Sequence, residues 1–186
     1  MMNSKEVTET RQHGFTRYLQ SLADREDRAS LAALRRGLGK QPGEAAEAFR
    51  LVLPHLPPGA SRRDEDLYFL IGTLFALHQK SWLGNDDQLG ATNLGASFAR
   101  LRSEVESDSI EKRFVVLLNC HQDDLPVHLR HGVSLLKSKE IPIDWSQLLR
   151  DLRGWWHEDR YVQRKWARAF WSEKTTAAEA NSTRVA

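Results

Sequence analysis

"PIDWSQLLRDLRGWWHEDRYVQRKWARAFW", residues 142–171, carries the strongest fold signal in the chain. Asp144 stands where its carboxylate can accept from the free N–H groups of a helix start. Gln147 follows three residues later, as in a capping box, and Ile143 before the cap can pack onto Leu148. At about 100° per residue, Leu148, Leu152, Val162, Trp166, Ala169 and Phe170 fall within about 60° of Trp155. The spacing predicts one helix from the Asp144 cap through residue 171, with a wide apolar stripe turned to a core. Arg153, Arg160 and Arg164 fall within about 40° of the opposite pole, with Arg150, Arg168 and Trp171 beside them. Asp151, Glu158 and Asp159 project toward the apolar side. The outer face then carries five arginines and no carboxylate. A charged back face is usually only a solvated one. The lack of balancing acids makes this face a candidate surface for a polyanion.

Working outward, the rest of the chain also reads at helical period, without a period-2 run. Helices are predicted over about 4–22, 27–36, 43–53, 64–79, 94–105, 109–121 and 124–138. Gly37 and Gly39 suit left-handed caps, Pro54 and the pair at 57–58 stop the third helix, and Pro126 falls in a first turn where proline is tolerated. The stretch 84–93, GNDDQLGATN, is rich in turn formers. The fold class is all-α, a compact multi-helix bundle. Residues 1–171 read as a single all-helical domain, and the small polar residues 172–186 as a disordered tail. The alternative is an N-terminal half, 1–83, and a C-terminal bundle, 94–171, divided at the 84–93 loop.

The bulk numbers narrow the function classes. The 186 residues hold 27 basic and 25 acidic side chains, a net charge of only +2, so any polyanion site depends on where the charges sit. One cysteine, Cys120, forms no internal disulfide, which fits a reducing compartment. The N-terminal residues lack a signal-peptide core, and the longest apolar run, 67–77, is too short to cross a bilayer. The expected location is the cytoplasm, with no membrane partner.

Further basic clusters each carry a bland reading. Arg35 and Arg36 close a helix, where positive charge complements the dipole, yet they also present two guanidinium forks beside a glycine turn. Arg62 and Arg63 precede a helix start near Asp64, whose N-terminus adds partial positive charge; the bland reading is a solvated loop. Lys112 with Arg113, and Arg130 with Lys137, mark two more faces. Catalytic chemistry is not legible. "GLGK" at 37–40 lacks the first glycine and the final Ser or Thr of a phosphate loop, with Leu34 and Gln41 in those places. Cys120 and His121 are neighbours that point apart on a helix, and a structural cysteine is the better reading. His128 and His131 lack the further ligands of a metal set. No enzyme, cofactor or metal is expected.

Four blocks in fixed order, "LRRGLG", "NLGASFARLR", "KRFVVLL" and "PIDWSQLLRDLRGWW", resemble the small subunit of the type I-E CRISPR surveillance complex, Cascade (the CasB family), over about 25–171. The resemblance implies an all-helical, non-catalytic subunit, present in two copies beside the other Cascade subunits. Such a subunit contacts the backbone of crRNA and target DNA and helps hold the displaced non-target strand. Arg35 and Arg36 match the family's first basic pair, Arg113 matches the arginine of its "RF" pair, and Arg130 falls in a basic helix. His131 replaces a second arginine there. Downstream of the tryptophan pair this chain reads "HED" where others are more basic, and Arg160, Arg164 and Arg168 supply the outer face instead. The expected nucleic-acid contacts are therefore Arg35, Arg36, Arg62, Arg63, Arg113, Arg130, Arg160, Arg164 and Arg168. Trp171 could stack a base or cap the bundle. The alternative function is a helical protein–protein adaptor that makes no nucleic-acid contact.

Overall fold

The computed structural model describes residues 4–40, 44–82, 92–105 and 107–182. Among them are nine α-helices: α1 (Ser4–Asp24), α2 (Arg28–Arg36), α3 (Ala46–Val52), α4 (Arg62–Leu77), α5 (Leu94–Glu104), α6 (Asp108–Asn119), α7 (Leu125–Ser138), α8 (Trp145–Arg153) and α9 (Tyr161–Ser182). The fold is all-α, as the periodicity predicts. A single parallel bridge, Ser81 to Ile143, is the only β pairing among the described residues. The loop at 84–93 lies mostly outside the described residues.

Side-chain caps fix several helix starts. Asp27, Ser61, Asn93, Ser107 and Asp144 each accept from a backbone N–H of the first turn. Ser61 and Asp64 form a reciprocal capping box, which starts α4 at Arg62, two residues before the predicted Asp64. At α8 only half of the predicted box forms. Asp144 accepts from the Gln147 N–H at 2.8 Å, but the Gln147 side chain turns inward and donates to Asp151 at 2.7 Å.

α4 is the central helix. Leu67–Phe69 and Ile71–Ala76 are all buried, so it is covered on every side and not along one stripe. Its neighbours are α2, α3, α7 and α8. Phe15 of α1 stacks on Tyr68 at 4.9 Å, and Phe75 meets Trp145 edge-on at 5.6 Å. A second aromatic layer joins α5, α6 and α9. Phe114 sits 5.1 Å from Phe98 and 4.3 Å from Phe170, and Trp155 lies 4.8 Å from Trp166. Both layers belong to one continuous hydrophobic cluster.

The helix predicted from Asp144 through 171 is two helices. α8 ends at Gly154, whose N–H bonds back to Asp151 and Leu152. A turn follows, and α9 begins after Arg160, which takes a left-handed φ of 48°. The Tyr161 ring end lies in the space that a side chain on Gly154 would fill, so any other residue there would displace it. The apolar stripe is still buried, because each helix turns its own part inward. α9 carries helical backbone through Ser182, past residue 172, where the composition predicts a disordered tail. Among the described residues, no helix is long and apolar enough to cross a membrane.

Candidate nucleic-acid interface

The break at Gly154 dissolves the five-arginine face. Arg153 forms an ion pair of 2.6 Å with Asp64, both side chains largely buried. Two hydrogen bonds from Ser61 and the Arg153 charge pull Asp64 below its ordinary pKa, against a burial effect that pushes the other way. The Arg150 guanidinium donates to Gln147. Arg160 donates to the Leu118 carbonyl at 2.5 Å, at the end of α6, where positive charge also complements the helix dipole. Asp151 is buried, accepts from the Trp166 indole at 2.6 Å, and has its pKa raised by burial. Glu158 and Asp159 are exposed in the turn and do not face the core. Of the predicted outer face, Arg160, Arg164 and Arg168 are exposed, and of these Arg160 is held to the end of α6 by its bond to Leu118.

The tertiary fold assembles a different surface. Arg35 uses Nε and Nη2 to hold the Ala76 carbonyl, at 3.0 and 2.8 Å, and so ties α2 to the end of α4. Arg36 pairs with Glu47 in an exposed ion pair. Just beyond them the chain turns at Gly39, with φ of 79°. Arg130 Nη1 fills the space that a side chain there would need, 2.7 Å from the Cβ position. Arg130 of α7 is thereby laid against the α2 turn.

On the other side of α7, His128 and His131 face Lys112 and Arg113 of α6 across a cleft of about 270 Å³. Phe98, Leu117, Gly132, Leu135 and Val116 complete its lining. The opposite flank of α6, at Val115, Leu118 and Asn119, walls a shallower groove that includes Arg160 and Arg164, with Glu158 and Asp159 beside them. Arg130, Arg113 with Lys112, and Arg164 thus lie on three separate surfaces, around the Gly39 turn, the α6–α7 cleft and the groove on the opposite flank of α6.

Arg62 and Arg63 are remote from Arg35. They open α4, whereas Arg35 grips its far end at Ala76, about 21 Å away along the axis at 1.5 Å per residue. Arg63 instead lies over the Trp156 ring at 5.1 Å. Trp171 is occupied. Its N–H reaches Glu111 at 3.2 Å and its ring meets Phe170 and Phe114 edge-on, which favours the capping reading over base stacking. Cys120 is half-buried, its thiol pKa raised by burial.

Sequence reasoning missed the α6–α7 cleft. Lys112 was visible only as a neighbour of Arg113, and the two histidines only as a metal pair. The overlooked signal is Val116, 50% exposed where the helical period calls for a polar residue.

Comparison with known proteins decides the relationship. The model of the family described as CRISPR-associated protein Cse2 matches residues 30–171. The chain belongs to the Cse2 family. The CRISPR-associated protein Cse2 of Thermus thermophilus is 34% identical over 152 residues, which cover 81% of this chain and 83% of that protein. The crystal structure of M. ruber CasB is 36% identical with a TM-score of 0.74, covering 92% of this Cse2 chain and 97% of the other. A chain of a CRISPR RNA-guided surveillance complex is 27% identical with a TM-score of 0.76, covering 93% and 99%.

Proposed function

We propose that this Cse2 chain is a non-catalytic, nucleic-acid-binding subunit of a type I-E CRISPR RNA-guided surveillance complex, Cascade. It contacts the backbone of crRNA and target DNA and steadies the R-loop and the displaced strand. Its partners are those nucleic acids, the other Cascade subunits and a second copy of itself. The observation that carries this reading is the carboxylate-free cleft between α6 and α7, rimmed by Lys112, Arg113, His128 and His131, with Arg130 exposed on the same helix α7 against the Gly39 turn. The similar chain within a CRISPR RNA-guided surveillance complex supports the setting. Guanidinium forks pair with phosphates without reading sequence, and affinity then falls steeply with salt. Sequence choice belongs to guide–target pairing. That exchange of base pairs is nearly balanced, so a modest contact energy decides how long the open state lasts.

The test is the pair Arg113→Ala and Arg130→Ala, combined, in the assembled complex. Both side chains are exposed, so the fold should persist. The expected result is a shorter R-loop lifetime and a salt dependence of DNA binding reduced by roughly one per contact removed. An unchanged lifetime and salt slope would count against these residues. A native chain that joins its partners but binds no nucleic acid would favour the adaptor.

A further inference from the structure

The flank of α6 that turns away from the α7 histidines carries a surface of a different kind. α6 and α9 run antiparallel there: Glu111 meets Trp171 at one end, and Asn119 meets Arg160 at the other. The shallow groove along them, about 410 Å³, changes character along its length. Toward Trp171 its accessible wall is apolar: Val115, 38% exposed, with half-buried Ala167 and Trp171. Toward Asn119 it is flanked by the exposed carboxylates Glu158 and Asp159, while the Arg160 guanidinium is turned to the Leu118 carbonyl. Exposed Arg164 lies between the two ends. A sugar-phosphate chain laid here would meet two carboxylates of its own sign and an apolar wall, and both oppose it. A polypeptide can match all three features.

We infer that this groove seats an amphipathic helix of another protein subunit. Its aliphatic stripe lies on Val115, Ala167 and Trp171, a basic residue stands beside Glu158 and Asp159, and an acidic residue faces Arg164. Two antiparallel helices leave a trough into which a third packs, and helix-in-groove recognition uses anchors at i, i+3 or i+4, and i+7. From Tyr161 to Trp171 the α9 wall is about 15 Å long at 1.5 Å per residue, nearly three turns of a partner helix. Among the described residues no helix of this chain offers such a stripe. Outside the groove its exposed large apolar side chains are Leu53, Val116 and Val127, each on a different element. The occupant is therefore a different polypeptide and not a second copy. The inference rests on the reading of this chain as one subunit of a larger complex, and it makes Arg164 a protein contact.

The experiment assembles the complex from purified subunits and crRNA and measures the concentration of this chain that gives half-occupancy. Val115→Gln with Ala167→Gln fills the apolar wall with neutral polar chains. It should raise that concentration about tenfold, while binding of the isolated chain to an oligothymidylate stays unchanged. Glu158→Lys with Asp159→Lys, both on the exposed turn where the fold is insensitive, should also raise it about tenfold, since like charges then face each other. Half-occupancy at a lower concentration in the lysine variant would identify a nucleic-acid strand as the occupant and overturn the inference. So would self-association of the isolated chain in sedimentation that the glutamine variant abolishes, which would place a second copy in the groove. Native half-occupancy in both variants would overturn the docking site and leave the subunit reading standing. A native chain that does not enter the complex would overturn the subunit reading itself.

Discussion

Gly95 sets the distance between α5 and α9. A Cβ at this position would lie 2.1 Å from the Trp166 carbonyl oxygen, a main-chain atom that no rotamer change can move. Helix-on-helix contact this close needs glycine, and the Phe98–Phe114–Phe170 layer depends on it. Gly95→Ala should destabilise the fold by about 3 kcal/mol, the upper end of overpacking costs, read from urea or thermal denaturation. A loss below about 1 kcal/mol would show that the two helices can separate freely. Apolar residues were the legible ones: Trp155, Trp166 and Phe170 are buried where the helical projection puts them. Arginines were not. Arg153 lies on the polar face of α8 by period, yet Asp64, from a helix remote in sequence, claims it. An arginine's period says which way its stem leaves the helix, and says nothing of which distant carboxylate or carbonyl waits there.

At the scale of elements, the α8–α9 corner is where periodicity was least informative. The apolar stripe keeps phase across residues 154–160, so a single long helix and two shorter ones give the same pattern. The discriminating sign is Gly154, a helix stop in weak form. Arg160 holds the corner in two ways that oppose each other. Its left-handed φ of 48° costs an L residue about 1 kcal/mol, and its guanidinium returns more by bonding the Leu118 carbonyl at the end of α6. Arg160→Ala keeps the strain and loses the bond, so it should destabilise by roughly 1–3 kcal/mol. Arg160→Gly loses the same bond but relaxes the backbone, and should be less destabilising than alanine by about 1 kcal/mol. Denaturation midpoints of the two variants decide this. An alanine variant more stable than the glycine variant would mean that the turn is unstrained.

The whole molecule carries a net charge of +2, too small to indicate a polyanion surface, and the approach of Arg130 to the Gly39 turn and of Lys112 and Arg113 to the α7 histidines exists only once α2, α6 and α7 are packed. The same packing makes the fold sensitive to mild acid. His78 is buried and its Nε2 donates to the Ile141 carbonyl at 2.7 Å, which ties the end of α4 to the connection before α8. His55, in the turn that follows α3, stacks on Tyr18 of α1 at 4.1 Å. Burial holds both imidazoles below the ordinary histidine value of 6.5. For His78 the hydrogen bond to Ile141 and the Glu140 charge push the other way, and Lys137 and Lys80 reinforce the depression. The unfolded chain therefore takes up these two protons at a higher pH than the folded one does. Stability from this source is complete above 6.5 and declines as pH falls below it toward the depressed folded values. Asp151 acts in the opposite direction, because burial raises its pKa and protonation relieves a buried charge. Thermal unfolding midpoints should thus fall between neutral pH and mildly acidic pH. In a His55→Phe and His78→Gln double variant the decline should flatten, since phenylalanine keeps the stacking and glutamine can still donate to Ile141. An equally steep decline in that variant would place the acid sensitivity in other groups.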